Sequence, residues 1–405
     1  MTHINAFTLA LKSLRHKPLS TAVNLILMAV GVAMMTFVLS ASQQLEEKAL
    51  RDARGIDLVV GAKGSPLQLI LSSIYHIDIP TGNIPLAAQA QLQQNRMVKK
   101  VIPLALGDSF QSFRIAGTTP DYIAHYDGAL AQGKMFEAPM QAVLGAQVTA
   151  RTGLTVGSRF IGSHGISGGG DGHGDAPFTV TGVLKPTGSV LDRLVLTSVE
   201  SVWHVHEVEH GIDPEDKEEK AAMDEERELT SLLVQYASPL AAAMLPRSVN
   251  SQPELQAAQP AFESAKLFRM LGVGVDVLRG IAAIMLLSAA LSMFVALYSA
   301  LEERKTDLAI LRTLGAPPRK LLSLLLVEGL LLAFAGAVLG WIAGHAALDI
   351  LGRVVSDDQN LSLSGWYVAS AEIWLVPVAL AIGLAAALLP AMRAYRTDIA
   401  TTLSH

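Results

Sequence analysis

The sequence contains no cysteine among its 405 residues. A disulfide, a thiolate zinc site and an iron–sulfur cluster are therefore all excluded. Charged residues make up only 17% of the chain, and the formal net charge is −5. Because surfaces that bind nucleic acid are basic, this charge balance argues against a nucleic-acid partner.

Apolar residues, which make up 51% of the chain at a mean hydropathy of +0.38, gather in long runs. The first run has no charged residue over about 23 positions, which as a helix reach roughly 34 Å and cross a bilayer core of about 30 Å. A cleaved signal peptide is the alternative, but its apolar region would be only about 7–15 residues long. We predict an integral membrane α-helical protein with four transmembrane helices, at 19–41, 278–301, 321–346 and 372–392.

Residues 1–18 have the pattern of an amphipathic helix, with Lys12, Arg15 and Lys17 beside an apolar face. Such a helix lies in the membrane interface, with its basic groups near anionic lipid headgroups. By the positive-inside rule, basic residues before the first span place the N-terminus in the cytoplasm.

The loops between the later spans support the same orientation. The segment 302–320 carries five lysine or arginine residues, whereas the predicted outer loop 347–371 carries only Arg353. Because basic residues accumulate on the cytoplasmic side, we expect 302–320 and the tail 393–405 to be cytoplasmic.

Residues 43–274 contain no spanning run. Roughly 230 residues are too many for a linker and enough to form a hydrophobic core. Alternating and β-branched stretches predict strands, and residues 85–95 predict a helix. We therefore predict a large α+β extracytoplasmic domain inserted between transmembrane helices 1 and 2. The predicted strands are 56–61, 110–115, 142–145 and 178–184.

The chain carries no intact phosphate-binding loop. Residues 128–135 approach the pattern G-x-x-x-x-G-K-[ST], but Met135 fills the last position and has no hydroxyl for Mg²⁺. This near-match also lies in the domain expected outside the cytoplasm, away from ATP. We therefore expect a non-catalytic chain that binds no cofactor of its own, apart from the zinc hypothesis that follows.

Two polar stretches of the domain are rich in histidine: a glycine-rich loop near residue 170 and the segment 203–210. On a strand, His204 and His206 would face the same way, and imidazoles with carboxylates suit Zn²⁺. A flexible, solvated loop is the alternative. The candidate zinc ligands are His164, His173, His204, His206 and His210.

The segment 302–320 has the pattern of a short amphipathic helix. Leu308, Leu311 and Leu314 recur every three residues, and Gly315 followed by two prolines is a typical helix end. Because apolar runs flank the segment on both sides, such a helix could transmit the movement of a soluble partner. An ordinary polar loop is the alternative.

Two features of the third span concern packing and burial. Gly336, Gly340 and Gly344 recur every four residues and line one helix face, as in close helix packing within a bundle or across a dimer. An accidental lipid-facing stripe is the alternative.

Glu328 lies about two turns into the span, where a carboxylate is costly unless it is paired. We expect its partner to be a basic residue of 302–320.

The sequence Glu-Glu-Arg-Lys-x-Asp-Leu-Ala-Ile-Leu-Arg-Thr-Leu-Gly-Ala at 302–316, followed by an apolar helix with Glu328, resembles the signature of the FtsX-like permease family. This family supplies the membrane subunits of MacB/LolC-type ABC transporters. Stretches within 133–184, followed by Asp192, are similar to the MacB-like periplasmic core domain. By this resemblance, the ATPase-coupling residues are Glu302, Glu303, Arg304, Asp307, Leu311, Arg312, Leu314 and Gly315.

The resemblance implies a permease subunit in the bacterial inner (plasma) membrane that transmits ATP-driven movement to its outer domain. It implies a separate ABC ATPase subunit that holds ATP and Mg²⁺, a second permease copy or close relative in a dimer, and an extracytoplasmic carrier or adaptor protein. Loads handled by the family include lipoproteins, peptides, lipids and drugs. The alternatives are an FtsX-like signalling transducer, whose outer domain is usually smaller, and a metal-binding membrane sensor, which leaves the 302–320 motif unexplained.

Overall fold

The computed structural model describes residues 6–165, 176–209, 227–303, 317–359 and 363–396. The chain divides into two compact units, which are described separately. The membrane unit comprises Met1–Leu45, Leu271–Ser356 and Leu361–His405, and the domain comprises Glu46–Met270 with Asp357–Asn360.

The α-helices of the described residues are α1 Ala6–His16, α2 Pro18–Asp52, α3 Pro66–Ser73, α4 Ala87–Gln93, α5 Pro120–His125, α6 Ala146–Thr152, α7 Val199–Glu209, α8 Pro239–Asn250, α9 Pro260–Glu303, α10 Pro318–Gln359 and α11 Leu375–Arg396. Short 3-10 helices cover Val190–Arg193 and Ser370–Trp374. The strands are β1 Leu58–Ala62, β2 Ile84–Pro85, β3 Val98–Phe110, β4 Phe113–Thr118, β5 Leu130–Gly133, β6 Gln141–Leu144, β7 Arg159–Phe160, β8 Ser163–His164, β9 Phe178–Leu184, β10 Leu194–Ser198, β11 Glu228–Leu229, β12 Ser231–Tyr236 and β13 Leu255–Ala258.

The structure confirms four helices that are long and apolar enough to cross a membrane. They are Pro18–Asp52, Pro260–Glu303, Leu322–Val354 and Ser370–Arg393. The helices continue well beyond the predicted spans. The stretch of α2 after residue 41 is rich in Gln, Glu, Lys and Leu, and such good helix formers extend a helix that has already been nucleated. Helix α10 also continues to Gln359, into the predicted outer loop 347–371.

Small residues fill much of the interior of the membrane unit. Where lipid is as apolar as the side chains, helices associate through close packing, which small residues permit. Met28, Leu297 and Leu332 are larger members of the same buried cluster. Its alanines are Ala289, Ala333, Ala337, Ala379, Ala386, Ala387 and Ala391.

The domain is built on a mixed sheet with the strand order β13-β1-β12-β3-β4-β10-β6-β9-β5, with β7 paired to β9 and β8 paired to β3. The pairs β4–β10 and β6–β9 are parallel, and the other pairs in this order are antiparallel. Helix α7 contacts β3, β4 and β10. An α/β domain therefore follows the first long helix in chain order, and strand β9 has the bounds predicted from sequence.

The prediction of one strand over 110–115 is wrong. Strand β3 ends at Phe110 and β4 begins at Phe113, and these two phenylalanines pair across a tight turn. Gln111 in that turn has a φ of 55°. The sequence gives little warning, because tight hairpin turns are usually marked by Asn-Gly or Asp-Gly, and the apolar alternation continues across the turn.

Candidate functional site

An ion pair fixes the residue that precedes the 304–316 segment. Lys17 Nζ lies 2.5 Å from Glu303 Oε2. Lys17 joins α1 to α2, and Glu303 is the last residue of α9. Proline at the first position of α2 suits a helix start, because the amide that it lacks would have no partner within the helix. The α1–α2 junction is therefore held at the end of α9.

A second contact joins α1 to α10. Ser13 Oγ donates a hydrogen bond of 2.7 Å to Glu328 Oε1, and both residues are buried, with exposed fractions of 8% and 4%. Burial of a carboxylate in a membrane unit is costly without such partners. Ser13 is a partner that sequence reasoning missed. Pairing of Glu328 with a basic residue of 302–320 stays a prediction, since 304–316 lies outside the described residues.

A third contact joins the last turn of α11 to α9. The Arg393 guanidinium donates to the Tyr298 hydroxyl, and Arg393 Cζ lies 5.0 Å from the centre of the Tyr298 ring. A cation over an aromatic face is attracted by the ring's negative face. We name the set Ser13, Lys17, Tyr298, Glu303, Glu328 and Arg393 the Lys17 end of the membrane unit.

Only two of the predicted coupling residues belong to the described part of the chain. Glu302 and Glu303 are exposed in the last turn of α9. The others lie outside the described residues: Arg304, Asp307, Leu311, Arg312, Leu314 and Gly315. The structure therefore adds one fact about the predicted coupling motif: Glu303, which directly precedes the 304–316 segment, pairs with Lys17.

The three glycines of α10 lie against α2. A Cβ at Gly336 would lie 2.6 Å from Met28 Cγ, one at Gly340 would lie 2.5 Å from the Ala29 carbonyl oxygen, and one at Gly344 would lie 2.7 Å from the Ala33 carbonyl oxygen. Because two of these neighbours are backbone atoms, they cannot move aside cheaply. These glycines permit the close approach of α10 to α2.

The opposite end of the membrane unit holds a polar cluster around the buried residues His345 and Glu372, which sequence reasoning missed. Glu372 Oε2 accepts hydrogen bonds from Trp341 Nε1 at 2.8 Å and lies 2.9 Å from His345 Nε2. Glu372 Oε1 accepts from the Ala369 amide at 2.9 Å. We name Trp341, His345 and Glu372 the His345 cluster. Two features of the sequence could have indicated this cluster: His345 lies inside an apolar run, and Glu372 lies just before the next apolar run.

Nearby in the membrane unit, Gln44 binds a loop through its side-chain amide. Gln44 Nε2 donates to the Ser364 carbonyl oxygen at 3.0 Å, and Gln44 Oε1 accepts from the Ser364 amide at 2.9 Å. Ser40 Oγ donates to the Tyr367 carbonyl oxygen at 3.1 Å. These bonds hold the loop between α10 and α11 on α2.

The domain buries a polar cluster of its own. His76 Nε2 lies 3.0 Å from the Tyr122 hydroxyl, and Arg114 Nη1 donates to the Asp78 carbonyl oxygen at 2.9 Å. Burial, and then the charges of Arg114 and Arg193, hold the pKa of His76 well below its usual value. Burial also lowers the pKa of Arg114 to about 10 and raises the pKa of Tyr122. The low pKa favours the neutral form of His76, and its contact with Tyr122 gives it a structural role.

The prediction that His204 and His206 face the same way on a strand is wrong, because both lie in helix α7. On a helix, residues three or four apart share a face, and residues two apart do not. His204 is exposed. Residues 206–210 read His-Glu-Val-Glu-His, the H-E-x-x-H spacing that places two histidines on one helix face. Interpreting the segment as a strand hides that spacing.

His164 is placed beside a buried carboxylate. Its Nδ1 lies 3.1 Å from Asp108 Oδ1 across the β3–β8 pair. His173 and His210 lie outside the described residues, as does the side chain of His206. Among the side chains that the structure describes, no group of three or more His, Asp or Glu could hold a metal ion.

Comparisons with known proteins bear on both units. Residues 21–252 match the model of the MacB-like periplasmic core domain, and residues 279–399 match that of the FtsX-like permease C-terminal region. A stretch of 133 residues, 29% of the chain, is 27% identical to the lipoprotein-releasing system transmembrane protein LolC of Neisseria meningitidis. This match spans about a third, 32%, of the length of that curated relative.

Two solved structures are similar to the chain. The periplasmic region of MacB from Actinobacillus actinomycetemcomitans matches with 12% identity and a TM-score of 0.35, over 54% of this chain and 95% of that one. The extracellular domain of the noncanonic ABC-type transporter YknZ from Gram-positive bacteria matches with 14% identity and a TM-score of 0.30, over 50% of this chain and 99% of that one.

The core-domain model alone covers more than half of the 405 residues, and the permease model covers the three later spans. The chain therefore belongs to the family of membrane permeases that combine a MacB-like periplasmic core domain with an FtsX-like permease C-terminal region, the permeases of FtsX/MacB/LolC-type ABC transporters.

Proposed function

We propose that this permease couples ATP hydrolysis by a separate ATPase subunit to movement of its domain outside the cytoplasm. The observation that carries the proposal is the Lys17–Glu303 ion pair. It holds α9 and the α1–α2 junction together immediately before the segment that resembles the family's coupling motif. A displacement of that segment would therefore act on α1, α2 and α9 together.

The route continues through the contacts of the Lys17 end. The 304–316 segment is followed by α10, which begins at Pro318 and is joined to α1 by the Ser13–Glu328 hydrogen bond. Helices α2 and α9 are also the helices that precede and follow the domain in chain order. In this proposal they carry movement from the ATPase side of the membrane to the domain.

The proposal requires one orientation of the chain. The segments 1–18, 302–320 and 393–405 face the cytoplasm, where an ATPase has access to ATP and Mg²⁺. The domain then lies in the periplasm or outside the cell, as the excess of basic residues in 302–320 favours. Four spans are few for a transporter, so we propose that two copies, or one copy with a close relative, form the working unit.

Co-purification and coupled ATPase assays test this function. We expect an ATPase subunit to co-purify with the full-length chain, and we expect Glu303→Gln and Arg304→Gln to lower its permease-dependent ATP turnover without loss of expression. The matched control is Arg353→Gln, which removes an exposed charge that pairs with Asp349 elsewhere in the membrane unit. The proposal fails if no ATPase co-purifies and if turnover in the two variants equals that of the control.

Zinc binding by the domain is a second proposal, and it rests on a different observation. Helix α7 is helical through residues 206–209, and the H-E-x-x-H spacing suits two zinc ligands on one helix face. We expect calorimetric titration of the full-length chain with Zn²⁺ to show binding at micromolar metal that His206→Ala removes and His16→Ala, in α1, keeps. Absence of heat in the unaltered chain would end this proposal.

A further inference from the structure

A groove with a volume of about 470 Å³ lies between α1, the first turns of α2 and the middle of α10. Its walls are almost entirely carbon, and Leu14, Leu25 and Leu332 belong to or pack on the buried cluster of the membrane unit. Two lining residues carry polar side chains, Thr21 and Arg15. Thr21 Oγ1 is already occupied, since it donates to the Leu14 carbonyl oxygen at 2.9 Å.

Arg15 therefore carries the charge of this groove. It is exposed, and no ion pair or hydrogen bond joins its side chain to another described residue. The neighbouring cation Lys17 is neutralised by Glu303 and lines a different surface, between α2 and α9. Helix α1 has no acidic residue, and Lys12 and His16 on it are also exposed. Among the described residues, nothing compensates the positive charge at the rim of the groove.

The apolar walls of the groove and the positive charge at its rim together indicate the chemistry of the molecule that binds there. A neutral apolar molecule would leave Arg15 without a partner, and a small anion would leave the leucine walls unfilled. A lipid with a phosphate headgroup satisfies both, because its chain buries apolar surface and its phosphate accepts hydrogen bonds from a guanidinium. The volume falls within the range of about 300–1,000 Å³ that is typical of ligand pockets.

We propose that this groove is a binding site for one anionic phospholipid, with an acyl chain along Leu14, Leu25 and Leu331 and the phosphate on Arg15. The site lies in the membrane unit alone and goes beyond the proposed coupling function. A bound lipid would fix α1 beside α2 and α10, next to the Ser13–Glu328 hydrogen bond. Basic sites between membrane helices commonly bind anionic headgroups in this way.

Native mass spectrometry of the full-length chain in detergent tests the proposal. The probes are phosphatidylglycerol and phosphatidylcholine with identical acyl chains. We expect phosphatidylglycerol to bind about tenfold more tightly, which corresponds to about 1.4 kcal/mol for one charge-assisted contact. Arg15→Gln should bring the two lipids to equal affinity, whereas Arg353→Gln, an exposed charge outside the groove, should keep the tenfold preference.

A second variant tests the apolar half of the site. Ala335 lines the groove and is half-buried, so Ala335→Phe should fill it and weaken both lipids while Arg15 stays in place. Size-exclusion elution and the far-ultraviolet spectrum establish that each variant remains folded. Equal binding of the two lipids by the unaltered chain overturns the proposal, and so does an unchanged preference in Arg15→Gln. Unchanged affinities in a folded Ala335→Phe variant would show that the lipid binds elsewhere or that another segment occupies the groove.

Discussion

The domain and the apolar helices of the membrane unit differ in the polar contacts that join one element to another. In the domain, Arg114, Arg193 and Tyr126 all donate to backbone carbonyl oxygens, those of Asp78, Tyr75 and Asp52. In the membrane unit, the contacts that join α1 to α10, and α10 to the segment before α11, are between side chains: Ser13 with Glu328, and Trp341 and His345 with Glu372. The loop after α10 is instead held by Ser40 and Gln44 through backbone groups, as in the domain.

The difference follows from which backbone groups are available. The domain has loops and helix ends, where carbonyl groups lack partners of their own, and a buried side chain can supply one. Within the apolar helices the carbonyl groups are already bonded along the helix. A buried polar side chain there either bonds within its own helix, as Asn24 does to the Ser20 carbonyl oxygen, or joins another element, as Glu328 does through Ser13. Contacts between two apolar helices of the membrane unit therefore rely on pairs of side chains, whereas contacts with loops can use backbone groups.

The largest expected effect is steric and concerns the membrane unit. Gly340→Leu would place a Cβ 2.5 Å from the Ala29 carbonyl oxygen, and α2 and α10 would have to separate. We expect little or no monodisperse protein after detergent extraction, since overpacking costs about 1–3 kcal/mol or more and a backbone oxygen cannot move aside as a side chain can. Gly280→Leu in α9 is the matched control, because a Cβ there has no neighbour within 4 Å. Normal recovery of Gly340→Leu would contradict the close packing of these helices.

The next effect concerns the His345 cluster. Glu372→Ala leaves the buried ring of His345 and the Trp341 Nε1–H without their carboxylate partner, and we expect a loss of about 3 kcal/mol in the free energy of unfolding. Tyr126→Phe in the domain removes one bond to a helix-end carbonyl, and its loss should be about 1 kcal/mol. Thermal or denaturant unfolding of the full-length chain measures both.

A double variant separates a linked cluster from independent contacts. If Glu372 and His345 act as a pair, adding His345→Ala to Glu372→Ala costs much less than His345→Ala alone. If the losses of stability in the two single variants simply add in the double variant, Glu372 and His345 do not act as a pair of side chains that joins two helices.

The third effect is a pH dependence in the domain. His76 is buried and its pKa lies well below the usual value of about 6.5, so below that pH the unfolded chain binds a proton that the folded chain excludes. The folded state therefore loses about 1.4 kcal/mol per pH unit as the pH falls below about 6.5, until the folded pKa is reached.

His76→Asn should remove this loss, and asparagine tolerates the φ of 52° at this position. The measurement is urea unfolding at about pH 7 and about pH 5.5, followed by hydrogen exchange of domain peptides. His204→Asn, at an exposed position on α7, should keep the original pH dependence. An unchanged slope in His76→Asn would mean that another group is responsible.

The smallest expected effect on stability is that of Glu303→Gln, although Glu303 is central to the proposed coupling function. The Lys17–Glu303 pair is half-exposed, with side-chain exposed fractions of 31% and 62%, so Glu303→Gln should change the free energy of unfolding by no more than about 1 kcal/mol. Thermal unfolding beside the coupled ATPase assay separates the two effects. A large loss of stability would mean that Glu303 supports the fold rather than coupling.

Sequence alone was sufficient wherever the deciding information is local in the chain. The membrane spans follow from the length and hydropathy of single runs, and β9 follows from seven alternating and β-branched residues. Local pattern failed at 110–115, where a turn without typical turn residues interrupts the alternation, and at His204 and His206, where a short polar segment fits a helix or a strand equally well.

Only the tertiary structure decided which side chains meet. Lys17 and Glu303 are 286 residues apart and Ser13 and Glu328 are 315 apart, and no periodicity within one helix can report such a pairing. The rotation of each long helix about its axis depends on how its small residues pack against its neighbours, as Gly340 does against α2. Composition and hydropathy therefore determine which segments can cross the membrane. Packing between the helices determines which side chains meet and where grooves form.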